Sequence, residues 1–204
     1  MPDSINIDLG GLDFLKPYIL REFGEDSTPI FDKYKFIKGN PTISLLTAPF
    51  PSINQEDNKA LLLLPNVVAT GMNGTARELL NDVASGRFIS VRDFTFPEFP
   101  VIHGLDVARA VKIISNDFHP KTYYLSDQTL STVEDVAQAF AARLENKRIL
   151  TVPKKWAKLF GINRRWRKYS FKTPDCPIFS DIFNFEPIKV CEYLSNHDYT
   201  TSDL

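Results

Sequence analysis

The sequence is poor in several features that would each mark a protein class. Only two cysteines, Cys176 and Cys191, occur in 204 residues. That is too few for a disulfide framework, and they are not spaced as a metal motif, so they read as reduced thiols of a cytoplasmic protein. His103, His119 and His197 are the only histidines; no pair has metal-ligand spacing, and no metal is expected. The longest fully apolar run, residues 60–64, is far below the roughly 20 residues that a membrane-spanning helix needs. No basic-then-apolar leader follows Met1, so nothing argues for export. Neither sign of charge dominates: 24 Lys and Arg face 25 Asp and Glu, with a pI near 6.3. Bulk attraction to nucleic acid or to anionic lipid is thereby excluded, and neither is expected as a partner. The nine glycines include no dinucleotide-binding cluster directly after a first strand.

What is present is enough for a core: 43% hydrophobic and 24% charged residues suit one domain, or one and a half. The most legible stretch is 101–161. Val101-Ile102-His103 reads as a short strand, and Val107, Ala110, Val111 and Ile114 follow at helical spacing with Asp106 near the helix start. Thr122-Tyr123-Tyr124-Leu125 reads as a strand that ends in a polar loop. Ser131 and Glu134 predict a capping box for a helix whose stripe is Val133, Val136, Ala137, Phe140, Ala141 and Leu144. Residues 148–152 read as another strand, with Pro153 opening a helix that Gly161 closes. The order is strand, helix, strand, helix, strand, helix.

Nearer the start, residues 5–9 alternate as a strand and Gly10-Gly11 break it, but the next glycine is Gly24, the wrong spacing to cradle a pyrophosphate. A second candidate is Thr70-Gly71-Met72-Asn73-Gly74-Thr75, which follows an apolar run and opens a helix near Thr75, with Glu78 completing a capping box and Gly86 closing it. Read as a phosphate loop, it would take Asp93 as the acid for the ribose. The run Arg164-Arg165-Trp166-Arg167-Lys168 combines charge with an aromatic, as a grip on phosphate or single-stranded nucleic acid would. A solvated loop after a helix is the plainer reading, and the overall charge favours it.

Taken together, Ile102-His103-Gly104-Leu105-Asp106-Val107-Ala108-Arg109-Ala110, Tyr124-Leu125-Ser126-Asp127, the 131–144 helix, Thr151-Val152-Pro153 and Trp156-Ala157-Lys158-Leu159-Phe160-Gly161 resemble the C-terminal half of extended short-chain dehydrogenase/reductases, the NAD(P)-dependent sugar epimerases, dehydratases and reductases. The resemblance places Leu64-Pro65-Asn66-Val67-Val68 at the strand entering a substrate lobe, and makes Gly71 to Gly74 part of the segment covering a sugar nucleotide. It implies Asn66, Gly71, Asn73 and His103 as substrate-binding residues. It also implies Tyr34 and Lys38 as a catalytic pair, since the family uses a tyrosine with a lysine four residues on to stabilise its phenolate. Glu25-Asp26-Ser27-Thr28-Pro29 resembles the family's acidic loop before that pair, and Phe183-Asn184-Phe185-Glu186-Pro187 its closing segment before a last helix. The sequence departs from the pattern in three places: Leu64 stands where an arginine is usual, Ala69-Thr70 where tyrosine-glycine is usual, and Gly39-Asn40-Pro41 stop any helix after Lys38.

The expectation is an α/β chain with a partial Rossmann-like fold, residues 1–60 being a divergent remnant of the catalytic segment and 61–204 the substrate-binding lobe. The resemblance implies an NAD(P)-dependent epimerase, dehydratase or reductase-like protein that acts on or binds a nucleotide-sugar-type substrate. NAD or NADP would enter only if a complete site is assembled, and none is expected for the isolated chain. The alternative is a non-catalytic ligand-binding or interaction module on the same lobe. Because 60–64 has no polar face and 1–50 offer few strands to cover it, a homo-oligomer or partner chain touching 43–68 is also expected.

Overall fold

The computed structural model describes residues 4–24, 28–50, 57–144, 147–159, 166, 168–169 and 172–196. The acidic part of the 25–29 loop, Gly161, three arginines of the 164–168 run and the chain after Asn196 lie outside the described residues. In chain order the strands are β1 (Ser4–Asp8), β2 (Thr28–Ile30), β3 (Thr42–Thr47), β4 (Lys59–Leu64), β5 (Asn66–Val68), β6 (Ile89–Val91), β7 (Val101–His103), β8 (Thr122–Tyr124) and β9 (Leu150–Val152). The helices are α1 (Lys16–Phe23), α2 (Gly74–Ala84), α3 (Gly104–Asn116), α4 (Val133–Arg143), α5 (Lys154–Leu159), α6 (Phe179–Phe183) and α7 (Val190–Asn196).

The fold is mixed α/β around a five-stranded parallel sheet ordered β2-β1-β3-β4-β8. Strands from both sides of residue 60 share it. Residues 60–64 have no alternation because β4 is interior, paired with β3 on one edge and β8 on the other. On one face Ile7, Ile43, Leu45, Leu62 and Leu64 are fully buried together with α1 and α3. On the other, Asn6, Ser44, Leu61, Leu63 and Tyr124 are buried as well. The uncovered strand that motivated a contact through 43–68 is therefore covered within the chain, and that ground for association is removed.

The helices form where apolar residues recur at helical spacing. Val107, Ala110, Val111 and Ile114 of α3 are all fully buried, as i, i+3, i+4, i+7 spacing predicts. Helix α4 starts one residue later than the sequence suggests, because Thr132 and Asp135 make the capping box. The Asp135 N–H donates to Thr132 Oγ1 (3.3 Å) and the Thr132 N–H to Asp135 Oδ2 (2.8 Å). Ser131 instead meets Thr129 (2.8 Å), and Glu134 accepts from Ser90. Helix α2 likewise starts at Gly74 with Asn73 as N-cap, and Glu78 pairs with Lys168 (3.7 Å) in place of capping.

Two further parallel pairs, β5-β7 and β6-β9, stand apart from the main sheet. They carry a second core in which α2, α4 and α7 bury Leu79, Val136, Phe140 and Val190 around Phe99 and Trp166. Two buried carboxylates tie this lobe's closing helix to the rest. Asp106 of α3 accepts the Ile188 N–H (2.7 Å), and Asp127 accepts the Val190 N–H (3.2 Å) at the start of α7. Among the described residues no helix is long and apolar enough to cross a membrane.

Candidate functional site

In a parallel sheet the ligand crevice lies beyond the carboxyl ends of the strands, where chain connections diverge to opposite sides. Here that point lies between β1 and β3: after β1 the chain moves out to β2 and then returns to the other side as β3. A cavity of about 680 Å³ opens there. Its wall comes from the turn after β1 (Leu12, Phe14), the loop after β3 (47–50) and the chain leaving β4 (65–67). The start of α2 (73–76) and Lys168, Tyr169 and residues 172–175 complete it. A volume of this size accommodates a small organic ligand.

One end of the cavity is suited to an anion. Asn73 donates its side-chain amide to the Gly11 carbonyl (3.1 Å), α2 has no side-chain cap, and its first turn carries no acid. The positive end of an eleven-residue helix, with N–H groups that have no intrahelical partner, therefore forms part of the wall. Lys172 stands in the same wall. Lys168 is already committed: it meets Asp82 (3.0 Å) and Glu78 (3.7 Å). Asp82 also accepts from the Tyr169 hydroxyl (2.8 Å) and pairs with Arg87 (3.2 Å). Burial pushes the Asp82 carboxyl up, but the hydrogen bonds from Lys168 and Tyr169 outweigh it and hold the group below its usual value. Burial pushes the Tyr169 phenol up to about 12. This cluster is a strut that fixes the 168–169 segment against α2.

The turn after β1 is the place where a dinucleotide's pyrophosphate would sit, and its residues do not fit one. The Gly10 N–H is taken by Asp8 Oδ1 (3.1 Å) and the Leu12 N–H by the Leu9 carbonyl (2.9 Å). Two amides of this turn are thus occupied, and the carboxylate that takes one of them sets a negative charge where a phosphate would lie. Gly10 is required for packing instead: at φ +58°, a Cβ there would lie 2.2 Å from the Leu45 carbonyl oxygen.

The residues singled out in sequence divide between the cavity wall and elsewhere. Asn66 and Asn73 line it; Asn66 also donates its side-chain amide to the Pro100 carbonyl (3.1 Å). Gly71 is in the turn before α2 at φ +75°, but does not line the cavity. His103 is buried as the N-cap of α3, its Nδ1 accepting the Leu105 N–H (3.2 Å) and its ring set edge-on to Tyr193. Tyr34 lies in a single 3-10 turn, Lys33–Lys35, with its side chain fully exposed, and Lys38 follows in a separate turn. The pair does not share a helix, and neither residue lines the cavity. Asp93 is exposed in the turn after β6, at φ +57°.

Other wall residues had no signal in the sequence. The 47–50 loop and residues 172–175 reach the cavity only through the fold. The same holds for the carboxylate pair. Asp106 was legible as a helix-start anion, but not as an acceptor for Ile188 N–H, 82 residues on. Burial pushes both the Asp106 and Asp127 carboxyls up. Among the described residues, no three His, Cys, Asp or Glu side chains come together as metal ligands.

No family model and no curated protein sequence matches the chain. Among solved structures, it is similar to a UDP-N-acetylglucosamine 4-epimerase from Bacillus cereus at 10% identity, covering 95% of this chain and 99% of that one, with a TM-score of 0.47. A UDP-glucose 4-epimerase is similar at 12% identity, covering 76% of this chain and 62% of that one, with a TM-score of 0.45. The Bordetella bronchiseptica enzyme WbmF, in complex with NAD+ and UDP, is similar at 12% identity over 91% of this chain and 68% of that one, with a TM-score of 0.42. At these identities and TM-scores the likenesses carry no information about the chemistry of the cavity.

Proposed function

We propose that this chain binds a nucleotide-sugar-type ligand in the cavity at the β1/β3 switch point, on an epimerase- or reductase-like α/β scaffold that holds no dinucleotide of its own. The observation that carries the reading is the cavity wall itself: the uncapped start of α2 and Lys172 offer a diphosphate its partners, while Leu12, Phe14 and Phe50 offer apolar surface to a base or sugar face. Asn66 and Asn73 are the polar residues assigned to orienting it. The occupied amides of the β1 turn support the absence of a nicotinamide site in the isolated chain.

The full exposure of Tyr34, outside the cavity wall, favours binding over turnover in the chain by itself, because a ligand held in the cavity does not meet its hydroxyl. Turnover belongs in this reading to an assembled form, in which a partner chain or second copy covers Tyr34 and Lys38 and brings the nicotinamide. Residues 1–60 are then the remnant of a catalytic segment and 61–204 the substrate lobe.

Calorimetric titration tests the reading. UDP-N-acetylglucosamine is expected to bind with submillimolar affinity, and NAD and NADP to give no heat of binding up to millimolar concentration. Submillimolar NAD binding would restore a cofactor site to this chain. Absence of heat with every nucleotide would leave the cavity without the proposed ligand class.

A further inference from the structure

The near-zero net charge conceals a strongly uneven distribution. Ten of the 24 Lys and Arg residues fall within 146–172, a stretch with no Asp or Glu, while the rest of the chain has 14 basic against 25 acidic residues. Helix α5 lies inside this stretch and has an unusual polarity. It turns only Ala157 into the core, fully buried, and leaves Trp156 49% and Leu159 76% exposed. Three residues apart, these two side chains are neighbours on one face of the helix. Leu150, on the strand that leads into α5, is 61% exposed. Lys154, Lys155 and Lys158 of the same helix are all exposed. A soluble surface ordinarily scatters its exposed apolar residues singly. Here a tryptophan and two leucines sit within ten residues, among lysines.

We infer that α5 and β9 form a docking surface for an anionic lipid bilayer, with Trp156, Leu159 and Leu150 entering the headgroup region and the lysines pairing with lipid phosphates. The chemistry favours this occupant over nucleic acid. Aliphatic side chains gain by entering an acyl boundary and give nothing to base stacking. The aromatic of the neighbouring basic run, Trp166, is not offered to any ligand: it is 3% exposed and packed against Phe88 and Phe96 at 4.7 and 5.7 Å between ring centroids. Tryptophan and lysine on one short surface element match the layering of a membrane interface, where an amphipathic ring sits at headgroup depth and lysine stems reach outward. The attraction is local, and the acidic remainder of the chain limits it to this face.

Co-sedimentation of the intact chain with vesicles tests the inference. Binding is expected to vesicles of phosphatidylcholine containing about 30% phosphatidylglycerol at about 0.1 M salt, and to weaken several-fold as salt rises toward about 0.5 M or when the anionic lipid is omitted. Neutralising Lys154, Lys155 and Lys158 together to Gln is expected to lower partitioning roughly 100-fold, at about fivefold per charge. Leu150→Gln with Leu159→Gln is expected to lower it roughly tenfold at unchanged charge. All five positions are exposed, and unchanged melting curves confirm that each variant folds. Brominated lipid should quench tryptophan fluorescence in the native chain, and Trp156→Phe should abolish the quenching while retaining most of the binding. No sedimentation with anionic vesicles at low salt would overturn the inference. So would binding unaffected by the lysine variant, or tight binding to a single-stranded oligonucleotide without binding to vesicles.

Discussion

Replacing Asp106 by alanine probes how the closing helix is held. Its carboxylate is fully buried, accepts the Ile188 N–H at 2.7 Å, and meets Arg109 Nη1 at 3.1 Å. Alanine orphans the Ile188 amide, at a cost of about 1–3 kcal/mol. Arg109, about half exposed, returns to water at little cost. Removing a desolvated carboxyl relieves part of the loss, so a net destabilisation of about 2 kcal/mol is expected, or about 4–8 °C in Tm for a chain of this length. Asp106→Asn keeps an acceptor for Ile188 and should lose less than half as much. The sign with pH follows from the raised pKa. A carboxyl whose folded pKa lies above 3.8 stabilises fully below the unfolded value and loses that contribution as pH rises through the folded one. Wild type should therefore gain on Asp106→Asn as pH falls from 7 toward 4. Melting curves at several pH values, with hydrogen exchange at the α7 amides, provide the assay. A Tm for Asp106→Ala within about 1 °C of wild type, or α7 amides protected as before, would refute the clamp.

Asp82→Ala should detach the 168–169 segment from α2 and cost about 1–3 kcal/mol, since the hydroxyl of the buried Tyr169 is left without its acceptor. Its pKa is lowered, so the sign is opposite to that of Asp106: this contribution is present above pH 3.8 and lost as pH falls through the lowered value, which acid titration of Tm would show. Gly10→Ala should cost more than about 2 kcal/mol, because the new Cβ meets the Leu45 carbonyl at 2.2 Å in a left-handed backbone; a near-native denaturant midpoint would contradict that contact. Tyr34→Phe should leave stability within about 0.5 kcal/mol of wild type, as the ring is fully exposed. In an assembled form supplied with a nicotinamide half, it should abolish turnover while sparing ligand binding. Lys172→Ala should weaken UDP-N-acetylglucosamine binding by about tenfold, the scale of one charge-assisted hydrogen bond at a partly exposed site.

Local pattern was legible in the sequence, and long-range pairing was not. The stripe of α3 and the alternation of strand and helix over 101–159 follow from periods of 3.6 and 2 that each segment carries by itself. Yet β7, β8 and β9, read as consecutive strands, belong to three different sheets. Each is three residues long, and a short parallel strand carries no register signal for a partner tens of residues away. The one-residue shift at α4 has a similar origin: Ser131 and Thr132 are adjacent hydroxyls, Glu134 and Asp135 adjacent acids, and Ser131 and Glu134 are engaged by Thr129 and by Ser90, 44 residues from Glu134. The 60–64 run is not left uncovered, because β3 and the three-residue β8, which comes from beyond residue 120, flank β4 on its two edges. At the cavity, Asn66 and Asn73 are named through the family resemblance and not through any local pattern, and 47–50 and Lys172 come beside them only in three dimensions.

The central claim is that the cavity wall at the start of α2 takes the diphosphate of a nucleotide sugar. Amide chemical-shift mapping during titration with UDP-N-acetylglucosamine tests it most directly. The account predicts saturable shifts concentrated at Gly74, Thr75 and Ala76, with smaller ones at Leu12, Asn66 and Lys172 and none at Gly10. Shifts centred on the turn after β1, or none at 73–76 at saturating ligand, would contradict it.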